Sequence, residues 1–156
     1  MSETLSASVD LLDGMAFRAT TGTGHEVVMD AAPEVGGGDA GPRPMEMLLV
    51  GLGGCTGMDV ISMLRKMHQH VSGYEIRLSG ERANDHPKIF TRIGVEHVVR
   101  GSDLSADAVR RAVELSATRY CSAAAMLNRA AHVEETYRLI DDASGQEQTG
   151  ALLVAA

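Results

Sequence analysis

The sequence has no tryptophan, only 2 phenylalanines and 3 tyrosines, so aromatic residues make up 3% of its 156 positions. Base stacking needs aromatic platforms, and their scarcity argues against nucleic-acid stacking as the task. Basic residues are also short: 14 Lys and Arg against 21 Asp and Glu leave a net charge of −7. That sign disfavours a polyanionic partner. The 2 cysteines are too few for a secreted disulfide scaffold, and no Cys-x-x-Cys is present. The longest uncharged apolar run, Met47 to Met58, is 12 residues, whereas a membrane span needs about 20. The N-terminus lacks a basic region followed by an apolar run, so no signal peptide is expected. The expectation is a soluble, cytoplasmic protein with neither nucleic acid nor a membrane as partner.

What is present is ordinary for a globular domain. Hydrophobic residues are 44% and charged residues 22%, which excludes disorder of the whole chain. Nine methionines supply adaptable packing where aromatics are missing. The length fits one domain, read here as residues 1–140 followed by a tail, 141–156.

Residues 1–32 read as N-terminal strands: Ser6–Leu12, Met15–Thr20 and His25–Asp30, broken at Asp13-Gly14 and Gly22-Thr23-Gly24. The stretch 33–43, PEVGGGDAGPR, is a loop that excludes helix or central strand. Pro44 fits a first helical position. From there to Val71 nothing but glycines interrupts a central helix over 44–71, about 40 Å long in a globule with a radius of gyration near 15 Å. Its first half is apolar on every side, which predicts burial on every side and a second chain to complete it. Gly51, Gly53, Gly54 and Gly57 would permit close backbone approach. Two alternating strands follow, Tyr74–Ala83 and Ile89–Arg100, with Ile76, Leu78, Ile89, Thr91, Ile93 and Val95 on one face. Ser105 is a candidate N-cap for a helix carrying Val109, Ala112, Val113 and Ser116. Ser122 could cap a second helix, and His132–Ile140 reads as the last strand. The tail has no periodicity, although its Leu152-Leu153-Val154 could add a strand or a dimer contact. Residues 74–140 thus hold a sheet and a second helical pair, and the fold class is α+β.

Chemistry points first to the cysteines, Cys55 and Cys121, 66 positions apart. If a helix begins at Ser122, Cys121 lies at its N-terminus, where amides and dipole stabilise a thiolate, with Arg119 adjacent. Cys55 lies in the apolar helix, and Asp59 at i+4 opposes its ionisation. A reactive Cys55 needs a cation from elsewhere, and Arg18 and Arg43 are candidates. Glu46, nine positions before Cys55, falls on roughly the opposite helix face. His68-x-His70 does not have helical metal-ligand spacing, and GGGDAGP is neither a P-loop nor GxGxxG. No metal and no cofactor is expected.

Three segments then carry a resemblance: GPRPMEMLLVGLGGCTGMDVISML around Cys55, LSATRYCSAAAMLNRA around Cys121, and RLSGERANDHPKIFTRI between them. Together they resemble the OsmC/Ohr family of osmotically inducible and organic hydroperoxide resistance proteins, over roughly residues 10–140. With Pro-x-Glu before Gly-Gly-Cys, the chain is most similar to the YhfA-like branch. The resemblance implies an OsmC-like α+β fold, with a long central helix packed against antiparallel sheets in an intertwined homodimer. It implies a thiol peroxidase of organic hydroperoxides, in which Cys55 becomes a sulfenate that Cys121 resolves as a disulfide, recycled by a dithiol reductant. The family's catalytic Glu directly follows Pro, ten positions before the first cysteine. Here Met45 stands there and Glu46 follows. The family's catalytic Arg lies in the early hairpin turn, where this chain has Gly22-Thr23-Gly24, so Arg18 and Glu46 are the available stand-ins. The alternative expectation is a non-catalytic binding protein for a small apolar ligand in the dimer cleft, or a disulfide redox sensor.

Overall fold

A computed structural model describes residues 2–152. The chain divides into two compact units, residues 1–48 and 49–156.

In the first unit, β1 (Ala7–Leu11), β2 (Phe17–Thr21) and β3 (Glu26–Met29) form an antiparallel sheet in sequence order. β1 and β3 lie within the spans the alternation predicts, and β2 runs one residue beyond its span, to Thr21. The Gly/Pro segment differs from expectation in one place. Pro33–Val35 makes a single 3-10 turn, closed by Gly36 at φ 91°. Buried Asp30 organises the rest of that loop: its carboxylate accepts from the amides of Ala31, Gly38 and Ala40 at 2.7, 2.9 and 3.0 Å. Those donors, Ala40 foremost, hold its carboxyl below the usual range.

Helix α1 (Pro44–Lys66) starts with proline at its first position. It ends five residues before the expected Val71. The reason is local: His68 adopts φ 56°, and the amides of Gln69 and His68 bond back to Leu64 and Arg65 at 2.9 and 3.1 Å. This is a Schellman closure with histidine where glycine is usual. By length and its mean hydropathy of 1.6, α1 could cross a membrane, yet one face of it packs inside the protein.

The second unit is built on a sheet of order β4-β5-β6-β7: β4 (His70–Arg82), β5 (Phe90–Ser102), β6 (His132–Asp141) and β7 (Glu147–Ala151). The α+β class holds, but the expected antiparallel sheet is mixed. β6 runs parallel to β5, because α2 (Ala106–Leu115) and α3 (Ser122–Leu127) carry the chain back across. β7 occupies part of the expected tail. Leu153 and Val154 of that tail lie outside the described residues. Ser105 caps α2 as expected, its hydroxyl accepting from the Ala108 amide.

A bulge changes one predicted face. Glu81 pairs with Arg92 and Arg82 with Phe90, so Thr91 is skipped. Phe90 therefore turns inward, while Ile89 and Thr91 are exposed.

The α1 stripe Leu52, Gly53, Thr56, Gly57, Val60 and Leu64 is buried. Val60 and Leu64 join Val99, Val109, Ala112, Val113, Tyr137 and Leu139 in one core. Each valine and leucine among them contributes about 1.5–3 kcal/mol when fully buried. A Cβ at Gly53 or Gly57 would meet Leu78 Cδ1 at 2.8 Å or Ile76 Cδ1 at 2.5 Å, so these glycines let α1 lie close on β4. Gly51 and Gly54 face open space, and Val50 and Met58 are exposed at 58% and 74%. Among the described residues the burial of α1 is thus one-sided, not all-round, with Leu52, Gly53, Thr56, Gly57, Val60 and Leu64 on the covered side.

Candidate functional site

Cys55 and Asp59 are one helical turn apart on α1, so their side chains leave the same face. Thr56, beside Cys55, is fully buried. The second helical layer reaches them through a π-helical turn, Ser116–Tyr120, which ends α2. Such turns are frequent at functional sites. The turn puts Ser116 against Thr56, with 2.8 Å between hydroxyls. Ser116 Oγ donates to Asp59 Oδ2 at 3.2 Å, so Thr56 supplies the proton between the two hydroxyls.

The same turn delivers Cys121, whose amide bonds to Ser116 O at 2.9 Å. Cys121, not Ser122, is the N-cap of α3, and its Sγ accepts from the Ala124 amide at 3.4 Å. The outcome is that Cys55 Sγ, an Asp59 carboxylate oxygen and Cys121 Sγ lie within 4.8 Å of one another. Both cysteines are free, Cys55 half-buried and Cys121 buried. These three donors could also converge on a metal ion.

The expected acidity of Cys121 is not found. Burial pushes its thiol up to about 12, Cys55 adds to the rise, and the Ala124 amide only partly opposes it. Arg119, read as a nearby cation, lies over the Tyr120 ring at 5.4 Å. One cap amide on a six-residue helix is outweighed by desolvation.

The other two candidates belong to the first unit. Arg18, on β2, has its Nε 3.9 Å from Glu26 Oε2 across the hairpin. Glu46 accepts from the Arg43 amide at 2.8 Å, the back-reaching half of a capping box. Arg43 is held in its loop by Gly41 O and Asp39.

Two polar groups escape the sequence reading. One is the Thr56–Ser116 pair, whose signal is a lone hydroxyl inside an apolar run. The other is a buried chain across three strands. Tyr74 Oη lies 2.6 Å from His97 Nδ1, and His97 Nε2 lies 2.8 Å from Glu135 Oε2. Burial and the Glu135 charge raise the Tyr74 phenol, so it keeps its proton and donates it to Nδ1. His97 then donates from Nε2 to Glu135. Glu135 Oε1 is buried without a partner. The signal was His97 between Val95 and Val99, and Glu135 between Val133 and Tyr137, each at an inward position of its strand.

Comparisons with known proteins agree with this architecture. Residues 36–136 match the family model of OsmC-like proteins. Protein YhfA of Escherichia coli K12 is 40% identical over 136 residues, 87% of this chain and 98% of YhfA. The crystal structure of an Aquifex aeolicus protein superposes with a TM-score of 0.80 at 30% identity, covering 90% of this chain and 99% of that one. An organic hydroperoxide resistance protein OsmC of Legionella pneumophila shares the fold, with a TM-score of 0.64 at 14% identity over 86% of this chain and 96% of its own. On the family match and the identity to YhfA along nearly its whole length, this chain belongs to the OsmC-like protein family.

Proposed function

We propose that the protein is a thiol-dependent peroxidase that reduces organic hydroperoxides. The observation that carries the reading is the meeting of two free sulfurs, Cys55 and Cys121, within 4.8 Å. Cys55 Sγ attacks the distal peroxide oxygen, the O–O bond breaks, and the alcohol leaves as Cys55 becomes a sulfenic acid. Cys121 Sγ then attacks that sulfur, its proton and the hydroxyl leave as water, and a disulfide forms. A dithiol reductant returns two electrons and two protons. Cys55 takes the first role because it is the less buried sulfur, while Cys121 is held as a neutral thiol. Arg18 and Glu46 are the proposed activating pair, and each would have to leave its present partner, Glu26 or the Arg43 amide, to serve the thiol.

The proposal includes a homodimer. The open side of α1, with Val50, Gly51, Gly54 and Met58, and the β1 strand, exposed throughout its length, are surfaces a second copy would cover. Two free thiols suit a reducing cytoplasm.

The test is thiol counting before and after one equivalent of cumene hydroperoxide. Wild type should lose both thiols within seconds and gain a 55–121 disulfide, and Cys55→Ser should keep Cys121 reduced. Survival of both thiols in a large excess overturns the reading. One observation favours the alternative, a binding protein for a small ligand: a cavity of about 400 Å³ lined by Met63, Met67, Leu115 and Tyr120 together with polar Asp59, Ser62 and Lys66. Ligand retained through purification, equally in Cys55→Ser, would select it.

A further inference from the structure

We propose that the reduced site is a binding site for a thiophilic divalent cation of the Zn²⁺ class, held by Cys55, Asp59 and Cys121, and that the bound ion shields the thiols from oxidation. The binding stands on geometry alone. Its effect on turnover rests on the peroxidase reading.

Four features carry the inference. The three donor atoms already lie within 4.8 Å of one another, and tetrahedral Zn²⁺ needs its sulfur and oxygen ligands about 3.5–3.8 Å apart. Next, the donor set is two sulfurs and one carboxylate. Paired thiolates select soft and borderline ions over Mg²⁺ or Ca²⁺, and three protein ligands leave the fourth tetrahedral position for water. Third, Asp59 has an outer-shell support. Buried Ser116 donates to its Oδ2 and is itself backed by buried Thr56, the kind of second contact that orients a ligating carboxylate. Last, among the described residues no basic side chain forms an ion pair with Asp59. A divalent cation would supply that partner.

The chemistry is exchange without redox. Two S–H protons pass to solvent as two Zn–S bonds form, and the carboxylate displaces water from the metal. A metal-bound sulfur has its lone pair engaged and reacts slowly with a peroxide. Removing the ion restores the dithiol.

The experiment titrates the reduced full-length protein with Zn²⁺ against a chromophoric chelator, then repeats it with Co²⁺. One ion per chain is expected, with thiolate-to-cobalt charge-transfer absorption. Cys55→Ser and Cys121→Ser should each weaken binding about 100-fold. Asp59→Asn and Ser116→Ala should each weaken it about tenfold, within the range for outer-shell or partial ligand loss. A measurement that needs no variant guards against misfolding: Zn²⁺ should protect both wild-type cysteines from iodoacetamide, and chelator should reverse that. An unchanged Zn²⁺ count in the doubly substituted Cys55→Ser, Cys121→Ser protein, or unprotected thiols in wild type, overturns the site. Affinity indifferent to Asp59→Asn overturns the ligand set. Peroxide oxidation measured in chelator-treated protein reads the peroxidase proposal separately, so either can fail alone.

Discussion

Asp59 lies one turn along α1 from Cys55, and its carboxylate shares a 4.8 Å neighbourhood with both sulfurs of the chain. The carboxylate is therefore placed to add a third ligand to a cation held by the two sulfurs. Asp59→Asn should weaken the Zn²⁺ protection of Cys55 from alkylation about tenfold, read by mass labelling of each cysteine. Equal protection in both proteins would mean that the carboxylate is not a ligand.

Cys121 provides a prediction in pH. Burial pushes its thiol from 9.0 up to about 12. Between those values the unfolded chain loses the proton and the folded chain keeps it, so unfolding is increasingly favoured as pH rises. The contribution is fully present below pH 9 and falls away towards 12. Denaturation midpoints of wild type and Cys121→Ala, followed from pH 7 to 11, should converge or cross above pH 9. Parallel curves would contradict the burial.

How much of this was legible depends on the range of each interaction. The three N-terminal strands, the Ser105 cap and the α1 start at Pro44 follow from local alternation and capping, whereas β4 starts at His70, inside the span read as helix, because α1 closes at His68. The π turn at Ser116–Tyr120 has no sequence signature, and it is what joins Ser116 to Thr56 and brings Cys121 beside Cys55. The parallel pairing of β5 with β6 is a long-range choice that local periodicity does not encode. β7 was missed because Glu147–Ala151 is a polar edge strand, and Gly150 is there to pass the Tyr137 ring, which a Cβ would meet at 2.3 Å. The 66 positions between the two cysteines carry no local signal of their meeting, which takes the α1 layer and the π turn to bring their free thiols within 4.8 Å. The Cys121 acidity came from a helix-terminus argument, and burial outweighed it.

The Tyr74–His97–Glu135 chain is a structural element with a measurable signature. Glu135 is 2% exposed and His97 fully buried, and the remaining oxygen Oε1 has no partner. Removing one member of such a pair leaves polar atoms stranded and costs about 3–5 kcal/mol, whereas replacing both with apolar residues is often neutral. His97→Leu alone should therefore destabilise strongly, and His97→Leu with Glu135→Leu much less. Urea denaturation of the two singles and the double gives the coupling directly. Additive losses would show that the pair acts as independent packing volumes.

The glycines of α1 separate packing within the chain from packing against a second copy. At Gly57 an added methyl would reach Ile76 Cδ1 at 2.5 Å, the free end of a half-buried side chain that can turn aside, so Gly57→Ala should change stability by less than about 1 kcal/mol whatever the oligomeric state. At Gly54 nothing lies within 4 Å, and alanine gains up to about 1 kcal/mol of helix propensity in an isolated chain. If a second α1 packs on that side, the same methyl meets it. Gly54→Ala should then weaken self-association by sedimentation velocity while leaving the dissociated chain at least as stable to urea as wild type. A Gly54→Ala protein that associates like wild type would move the dimer contact off this face of the helix.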